Sequence, residues 1–319
     1  MQRLRSLLIA IPVMTVLNTG GVLAHDFPLT IVDDRNKSVE IAQLPRTVAS
    51  ISSFGADVLV SLGRQVDGLS ILGGQQSDFL GGAAVDAVNL GEVHQTNLEV
   101  LAQLSPDLTI GLRTYTEPFE QKIEEAGAFL AFDLITLEDS LRGVERATLA
   151  LGAESQGSEL NERFLNDLES HIERAPGGIS AVFLWHWGDV PYAFYSHHLT
   201  GHIMTRLGAT NIQGNPPRGM APADSSAISM ETLLRLNPDV ILSFKADDGP
   251  FVSHPAWPRL KAVRNNRAWR VGDQYVMPHG PLARQMVLKE MAYLLYPEHF
   301  PAPKDIPEPA QARAMDFER

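Results

Sequence analysis

Short apolar runs alternate with amphipathic segments along most of the chain. Residues 47–52, 66–72 and 108–112 are short apolar runs, which favours buried strands. Residues 55–62 have apolar positions at helical spacing and end before Gly63, a residue type common at helix C-termini. Strands that alternate with helices predict a parallel sheet with helices on its faces, so the predicted fold class is α/β.

A longer helical pattern occupies the middle of the chain. Leu160, Phe164, Leu168 and Ile172 recur every four residues, which predicts a single helix over 153–175. A helix of that length spans about 30 Å. A single stiff helix of this kind predicts limited hinge motion between the parts that it joins.

The clearest internal pattern is a repeat. Residues 97–110 (NLEVLAQLSPDLTI) and 229–242 (SMETLLRLNPDVIL) each begin with a capping residue, run as a short amphipathic helix and stop at Pro-Asp. Each copy then enters an apolar strand. Two copies of one unit predict two similar α/β lobes, each with a central, mainly parallel sheet.

The N-terminus has the layout of a secretory signal peptide. Arg3 and Arg5 precede an apolar run over 7–17, and Val22 and Ala24 supply the small residues of a cleavage site. A membrane-anchoring helix is the alternative, but the run is shorter than the roughly 20 residues that span a bilayer. We therefore expect a mature chain that begins at His25 and is soluble.

These patterns divide the chain into five segments. They are a signal peptide over 1–24, a first lobe over 25–152, a connecting helix over 153–175, a second lobe over 176–300 and a loosely ordered tail over 301–319.

Composition excludes several classes of protein. The 319 residues are 44% hydrophobic, 20% charged and free of cysteine, and the net charge is −12. The apolar content excludes a disordered chain, and the lack of cysteine excludes disulfides, thiol catalysis and cysteine-based metal sites within these residues. The negative charge argues against a nucleic-acid partner.

Taken together, the export signal, the two repeat copies, the long helix and the segment 256–267 (AWPRLKAVRNNR) carry a family resemblance. The chain resembles the periplasmic substrate-binding proteins of ABC importers for ferric siderophores, haem and cobalamin. The resemblance implies a ligand held between two lobes and delivered to a permease in the inner membrane. Many relatives carry a lipid on an N-terminal cysteine, so this chain is expected to be an unanchored, monomeric periplasmic protein.

The resemblance also implies how such a protein docks. One surface glutamate per lobe pairs with permease arginines, and the matched repeat positions are Glu99 and Glu231. The alternative is that each glutamate only stabilises the first turn of its helix through the helix dipole.

Ligands of parallel sheets bind beyond the carboxyl ends of the strands, and that rule selects candidate residues. Arg113 and Lys245 occupy equivalent positions after the two repeated strands, and Arg218 lies on a proline-glycine loop. Three cations in an acidic protein suggest an anionic iron chelate. The alternative is that they are ordinary solvated charges.

Aromatic and histidine side chains complete the predicted ligand site. Flat rings suit a large, partly apolar ligand, and Tyr115 with a histidine of the second lobe would suit haem iron. We assign no metal ligand, because no histidine spacing forms a strong metal signature. The candidates, which follow the ends of predicted strands, are Tyr115, Trp185, His186, Trp187, Tyr195, Tyr275 and His279.

The sequence therefore favours a binding protein for a ferric siderophore, with no resident cofactor. A haem-binding or cobalamin-binding protein is the alternative. A chelatase-like enzyme on the same fold is less favoured, because no GxSxG elbow, Walker A loop or GxGxxG fingerprint occurs.

Overall fold

The computed structural model describes residues 27–187, 189–219, 223–245 and 251–315. The predicted signal peptide over 1–24 and the predicted first mature residue, His25, lie outside the described residues. The strands are β1 (Leu29–Val32), β2 (Ser38–Ile41), β3 (Val48–Ile51), β4 (Gly68–Ile71), β5 (Val88–Glu92), β6 (Gln95–Thr96), β7 (Leu108–Leu112), β8 (Ala128–Phe132), β9 (Ser180–Trp187), β10 (Val190–Phe194), β11 (Thr210–Asn211), β12 (Ser225–Ala227), β13 (Val240–Phe244), β14 (Ala268–Arg270) and β15 (Arg313–Ala314). The α-helices are α1 (Ser53–Ser61), α2 (Leu98–Leu104), α3 (Arg113–Thr116), α4 (Glu120–Ala126), α5 (Leu137–Ala150), α6 (Glu154–Arg174), α7 (Leu199–Arg206), α8 (Met230–Leu236), α9 (Lys261–Arg264) and α10 (Pro281–Leu295).

The first lobe is built on a six-stranded sheet in the order β6-β5-β4-β3-β7-β8. All neighbouring strands are parallel except the short β6, which runs antiparallel to β5. The central strand β3 is buried along its whole length, which explains its continuous apolar sequence.

The second lobe is built on a seven-stranded mixed sheet. Its main order is β12-β10-β9-β13-β14-β15, and β11 pairs with β9 beside this path. Strands β9, β13 and β14 are parallel, as the repeat predicts, whereas β10, β12 and β15 run antiparallel to their neighbours. The predicted α/β fold class is confirmed, and its mainly parallel character is stronger in the first lobe.

The repeat forms the same structure in both lobes. Helices α2 and α8 have seven residues each, and both end in a left-handed residue, Ser105 or Asn237. The aspartate of each Pro-Asp then accepts a backbone N–H at the start of the neighbouring central strand. The Thr47 backbone N–H donates a hydrogen bond to the Asp107 carboxylate at 3.0 Å, and the Ser180 N–H donates one to the Asp239 carboxylate at 2.8 Å. The motif therefore aligns the two central strands of each sheet.

The long helix predicted over 153–175 forms as α6, and its apolar stripe is buried. Phe164 and Leu168 belong to the main core of the second lobe. The same helix contacts α5 and α10, so it lies along the joint between the lobes. Among the described residues, no helix is both long and apolar enough to cross a membrane.

The tail is more ordered than its composition predicts. Ile306 and Ala310 are buried in the core of the first lobe, and β15 pairs with β14 of the second lobe. The side-chain amide of Gln274 also donates a hydrogen bond to the Ala310 carbonyl oxygen at 2.8 Å. The expectation of a loosely ordered tail is wrong as far as residue 315, because its few apolar side chains bridge the two lobes.

Candidate functional site

A cavity of about 610 Å³ opens between the lobes. We call it the cleft cavity and define it by its wall, to which both lobes contribute. The wall residues are Gly73, Glu92, His94, Gln95, Thr114 and Tyr115 from the first lobe, and Trp185, Tyr192, Asp224 and Ser225 from the second.

The carboxyl ends of the parallel strands position the two innermost aromatic rings. Tyr115 lies in α3, directly after β7, and Trp185 lies near the end of β9. Tyr192 comes from the adjacent antiparallel strand, where it pairs with Trp185 in register. Three flat rings therefore face one space from both lobes, as an apolar or aromatic ligand requires.

The Tyr115 side chain is a hydrogen-bonding group that stays protonated. Burial, together with the nearby charge of Asp224, raises the pKa of Tyr115 to about 12. Its ring meets the His94 ring edge to face at 4.5 Å. Burial lowers the pKa of His94, so this imidazole is neutral at neutral pH. Neither group presents a charge to the cavity.

A glycine loop forms the border of the cavity where the lobes meet. The Glu92 carboxylate accepts backbone N–H groups from Gly73, at 2.8 Å, and from Gly74. The Lys245 ammonium of the second lobe donates to the Gly73 carbonyl oxygen. Gly73 has a φ of 61°, and a Cβ there would collide with the Lys245 side chain. The left-handed backbone conformation and this close approach between the lobes both favour glycine.

The three predicted cations do not converge on the cleft cavity. Arg113 forms a paired contact with Asp133, 2.8 Å between Nη2 and Oδ2, and lines a different pocket. Lys245 is held at the border by Gly73 and lines a smaller adjoining pocket. Arg218 is exposed on its loop and lies on neither wall. The expectation of a cation-lined site is therefore not met in this structure.

Strand alternation separates His186 from Trp185. Successive side chains of β9 point to opposite faces, so His186 packs against Phe251 in the core rather than facing the cavity. Burial lowers its pKa to about 4. The backbone of Trp187 belongs to β9, and its side chain lies outside the described part of the structure.

Three further candidates are core residues and do not reach the cavity. Tyr275 is 0% exposed and donates its hydroxyl to Glu290 at 3.0 Å. Tyr195 is buried, and its hydroxyl donates to Ser226 at 3.0 Å. His279 is buried against the His198 ring, and burial lowers its pKa to about 4. None of the three side chains lines the cleft cavity, because position after a strand does not fix direction.

The sequence reasoning missed several wall residues. Glu92 is the last residue of β5 and His94 lies two residues beyond it, so the same strand-end rule could have found them. Asp224 precedes β12, which enters the sheet antiparallel and lies outside that rule. The expected haem pair is also not formed, because the histidine against Tyr115 is His94 of the same lobe.

Glu99 and Glu231 are both exposed in the first turns of α2 and α8. Each follows a capping side chain, Asn97 or Ser229, that accepts a backbone N–H of its helix. The capping residues satisfy the helix termini, so both carboxylates are available at the surface.

Within the described residues, no group of three or more histidine, aspartate or glutamate side chains could hold a metal ion.

Comparison with known proteins supports this description. The family model of the periplasmic binding proteins matches residues 48–275. The Fe(3+)-citrate-binding protein YfmC of Bacillus subtilis is 22% identical over 276 residues, which is 79% of this chain and 81% of that protein. The ABC transporter substrate-binding lipoprotein YvrC of the same organism is 22% identical over 286 residues, 86% of this chain and 87% of that protein.

Solved structures share the fold. The triscatecholate siderophore binding protein FeuA of Bacillus subtilis, complexed with ferri-bacillibactin, aligns with a TM-score of 0.70 at 19% identity. That alignment covers 84% of this chain and 98% of FeuA. Staphylococcus aureus SirA, complexed with staphyloferrin B, aligns with a TM-score of 0.65 at 19% identity, covering 85% and 98% of the two chains. The match over most of both lobes, together with the inter-lobe cavity, shows that the chain belongs to the periplasmic binding protein family.

Proposed function

We propose that this chain captures a ferric siderophore in the cleft cavity and delivers it to an ABC permease. The observation that carries the proposal is a cavity of about 610 Å³ walled by aromatic side chains of both lobes. The names of the relatives support it, since one is an Fe(3+)-citrate-binding protein and another a probable siderophore-binding lipoprotein.

The wall suits a ligand that brings its own iron coordination. Tyr115, Trp185 and Tyr192 offer flat surfaces to the organic part of a chelate. The Tyr115 hydroxyl and the side chains of Gln95 and Ser225 offer hydrogen bonds. A ligand that fills this space touches both lobes, so its binding stabilises the lobes in their closed arrangement.

Delivery rests on the two exposed glutamates. Glu99 and Glu231 stand on matching helices of the two lobes, and such a pair can orient the protein as well as attract a basic partner. In this proposal, permease arginines contact both carboxylates at once, outside the cytoplasmic membrane. Two relatives are named lipoproteins. Because these 319 residues contain no cysteine, the proposal does not include attachment of a lipid to a cysteine among them.

Tryptophan fluorescence tests capture directly. The chain is titrated with ferric citrate, a ferric trihydroxamate, a ferric triscatecholate, hemin and cobalamin, with each iron-free chelator as a control. We expect saturable quenching by at least one ferric siderophore, reduced in Trp185→Phe because that indole lines the cavity. The matched control is Trp257→Phe, whose indole is buried in the core of the second lobe.

The alternatives give different results. A Soret band with hemin, without binding of any ferric siderophore, would identify a haem-binding protein. Recovery of the chelate unchanged is expected of a receptor, and conversion to a new product would point to an enzyme. Absence of binding by every member of the panel contradicts the proposal.

A further inference from the structure

We infer that the chelate carried in the cleft cavity has a neutral or positive net charge, as ferric hydroxamates do, rather than several negative charges. This inference rests on the proposed function and narrows its ligand class. The observation behind it is the charge of the wall, which carries two carboxylates, Glu92 and Asp224, and no lysine or arginine among the described residues.

The two carboxylates lie on opposite sides of the cavity. Glu92 of the first lobe is held by the Gly73 and Gly74 N–H groups. Asp224 of the second lobe accepts the Ser225 hydroxyl at 2.7 Å and acts electrostatically on Tyr115. A ligand between the lobes therefore experiences negative charge from both sides, and polyanions are repelled from both.

The neighbouring cations offset only part of this charge. The Lys245 ammonium donates to the Gly73 carbonyl oxygen and so lies beside the wall, but it adds one positive charge against two carboxylates, and Arg113 pairs with Asp133. The residues between the described segments, 188, 220–222 and 246–250, are glycine, methionine, alanine, proline and aspartate, so none can add a positive charge.

The uncharged part of the wall also favours such a ligand. The protonated Tyr115 hydroxyl can donate to a hydroxamate oxygen without adding charge. The faces of Trp185 and Tyr192 can accept an ammonium group by cation–π contact, and two carboxylates nearby strengthen the attraction. Hydroxamate chelates combine these features, because their iron centre is neutral and some carry an ammonium tail. FeuA, which shares the fold, is named for a triscatecholate ligand instead.

The test compares two chelates of opposite charge on matched variants. Ferrioxamine B is a trihydroxamate complex with one ammonium group, and ferric enterobactin is a triscatecholate complex with three negative charges. Affinities are measured by fluorescence and calorimetry for the wild type, for Asp224→Asn and for Glu159→Gln. Glu159 is exposed on α6 and is absent from the cavity wall. Its variant removes one negative charge, as Asp224→Asn does, but at a distance from the ligand.

We expect the wild type to bind ferrioxamine B at least about tenfold more tightly than ferric enterobactin. Asp224→Asn should weaken ferrioxamine B several-fold and strengthen ferric enterobactin several-fold, whereas Glu159→Gln should change neither. Thermal unfolding of each variant confirms that it is folded.

Two results must be kept apart. Tighter binding of ferric enterobactin, unaffected by Asp224→Asn, overturns the charge inference and leaves siderophore capture standing. Failure of both chelates and of ferric citrate to bind refutes the proposed function itself.

Discussion

A buried carboxylate joins the two lobes, and its removal gives a sharp prediction. Asp57 of α1 accepts the backbone N–H groups of Leu282 and Ala283, both at 2.8 Å, and so caps the start of α10. Helix α10 has no capping side chain of its own, because Gly280 occupies that position. Gly280 is required there, since a Cβ would collide with the Asp57 carboxyl. The first lobe therefore supplies the cap of a helix whose body belongs to the second lobe's core.

Burial makes this carboxyl sensitive to pH. It raises the pKa of Asp57 from its ordinary value of 3.8 to about 6, although Leu282, Ala283, Ser61 and the buried Arg284 all favour the charged form. A pKa difference of this size between the folded and unfolded states corresponds to about 3 kcal/mol in the free energy of unfolding. The folded state binds this proton more tightly than the unfolded state. The resulting contribution of the protonated Asp57 carboxyl to the free energy of unfolding is therefore fully present below pH 3.8. It is lost as the pH rises through about 6.

The matched variant is Asp57→Asn, which keeps one acceptor oxygen and has no proton to lose. Urea unfolding of both proteins is measured at intervals from pH 4 to pH 7. At the acidic end the wild-type carboxyl is protonated and, like the amide, keeps one carbonyl acceptor, so the two proteins should differ in free energy of unfolding by less than about 1 kcal/mol there. Toward neutral pH, the free energy of unfolding of the variant should rise by about 3 kcal/mol relative to that of the wild type, because only the wild-type carboxyl loses a proton. A difference in unfolding free energy that stays constant across this range would refute the reasoning.

Two further predictions concern the tail and the docking surface. Ile306→Ala should lower the free energy of unfolding by about 2–4 kcal/mol, because this tail side chain is 3% exposed in the first lobe's core. Val85→Ala, at a site 70% exposed, should change it by less than about 0.5 kcal/mol, and equal effects of the two substitutions would contradict the packing of the tail. Charge reversal of both Glu99 and Glu231 to lysine should abolish transport in vesicles containing the permease and leave ligand affinity unchanged. Uptake at the wild-type rate would rule out the docking role.

Local sequence patterns were sufficient to predict several strands and helices of the fold. The strand predicted over 108–112 forms over the same residues as β7, and the helix predicted over 153–175 forms as α6 within one residue at each end. The first is a continuous apolar run and the second has an apolar residue every four positions, and both are bounded by proline, glycine or polar residues. The repeat also predicted the matched α2 and α8, because the capping residue and Pro-Asp act locally.

What the sequence did not reveal depends on contacts between distant residues. The tail, which follows the second lobe, is polar and rich in proline, yet Ile306 is buried in the core of the first lobe. That position arises only when the two lobes come together. The hairpin of β9 and β10, by contrast, is local, and the Gly-Asp pair between its strands is typical of two-residue hairpin turns, so a local pattern could have indicated it.

The same limit applies to the site. The strand-end rule selected Tyr115 and Trp185, and both line the cleft cavity, because the rule depends on topology alone. It could not foresee that Arg113, only two residues from Tyr115, turns toward Asp133. Nor could it foresee that Tyr275 satisfies its hydroxyl inside the core with Glu290. Side-chain direction is decided by the nearest partner, and that partner lies far along the chain.

The repeat and the ligand site therefore follow different rules. The equivalent cations Arg113 and Lys245 are both engaged by acceptors of the protein, so the repeated unit supplies the scaffold and the joint between the lobes. The wall that distinguishes one ligand from another comes largely from residues without a counterpart in the other lobe, such as Glu92 at the end of β5 and Asp224 before β12. A family scaffold can thus be kept while these positions change the charge of the cavity. For this reason, shared fold with a triscatecholate-binding protein does not predict the same ligand here.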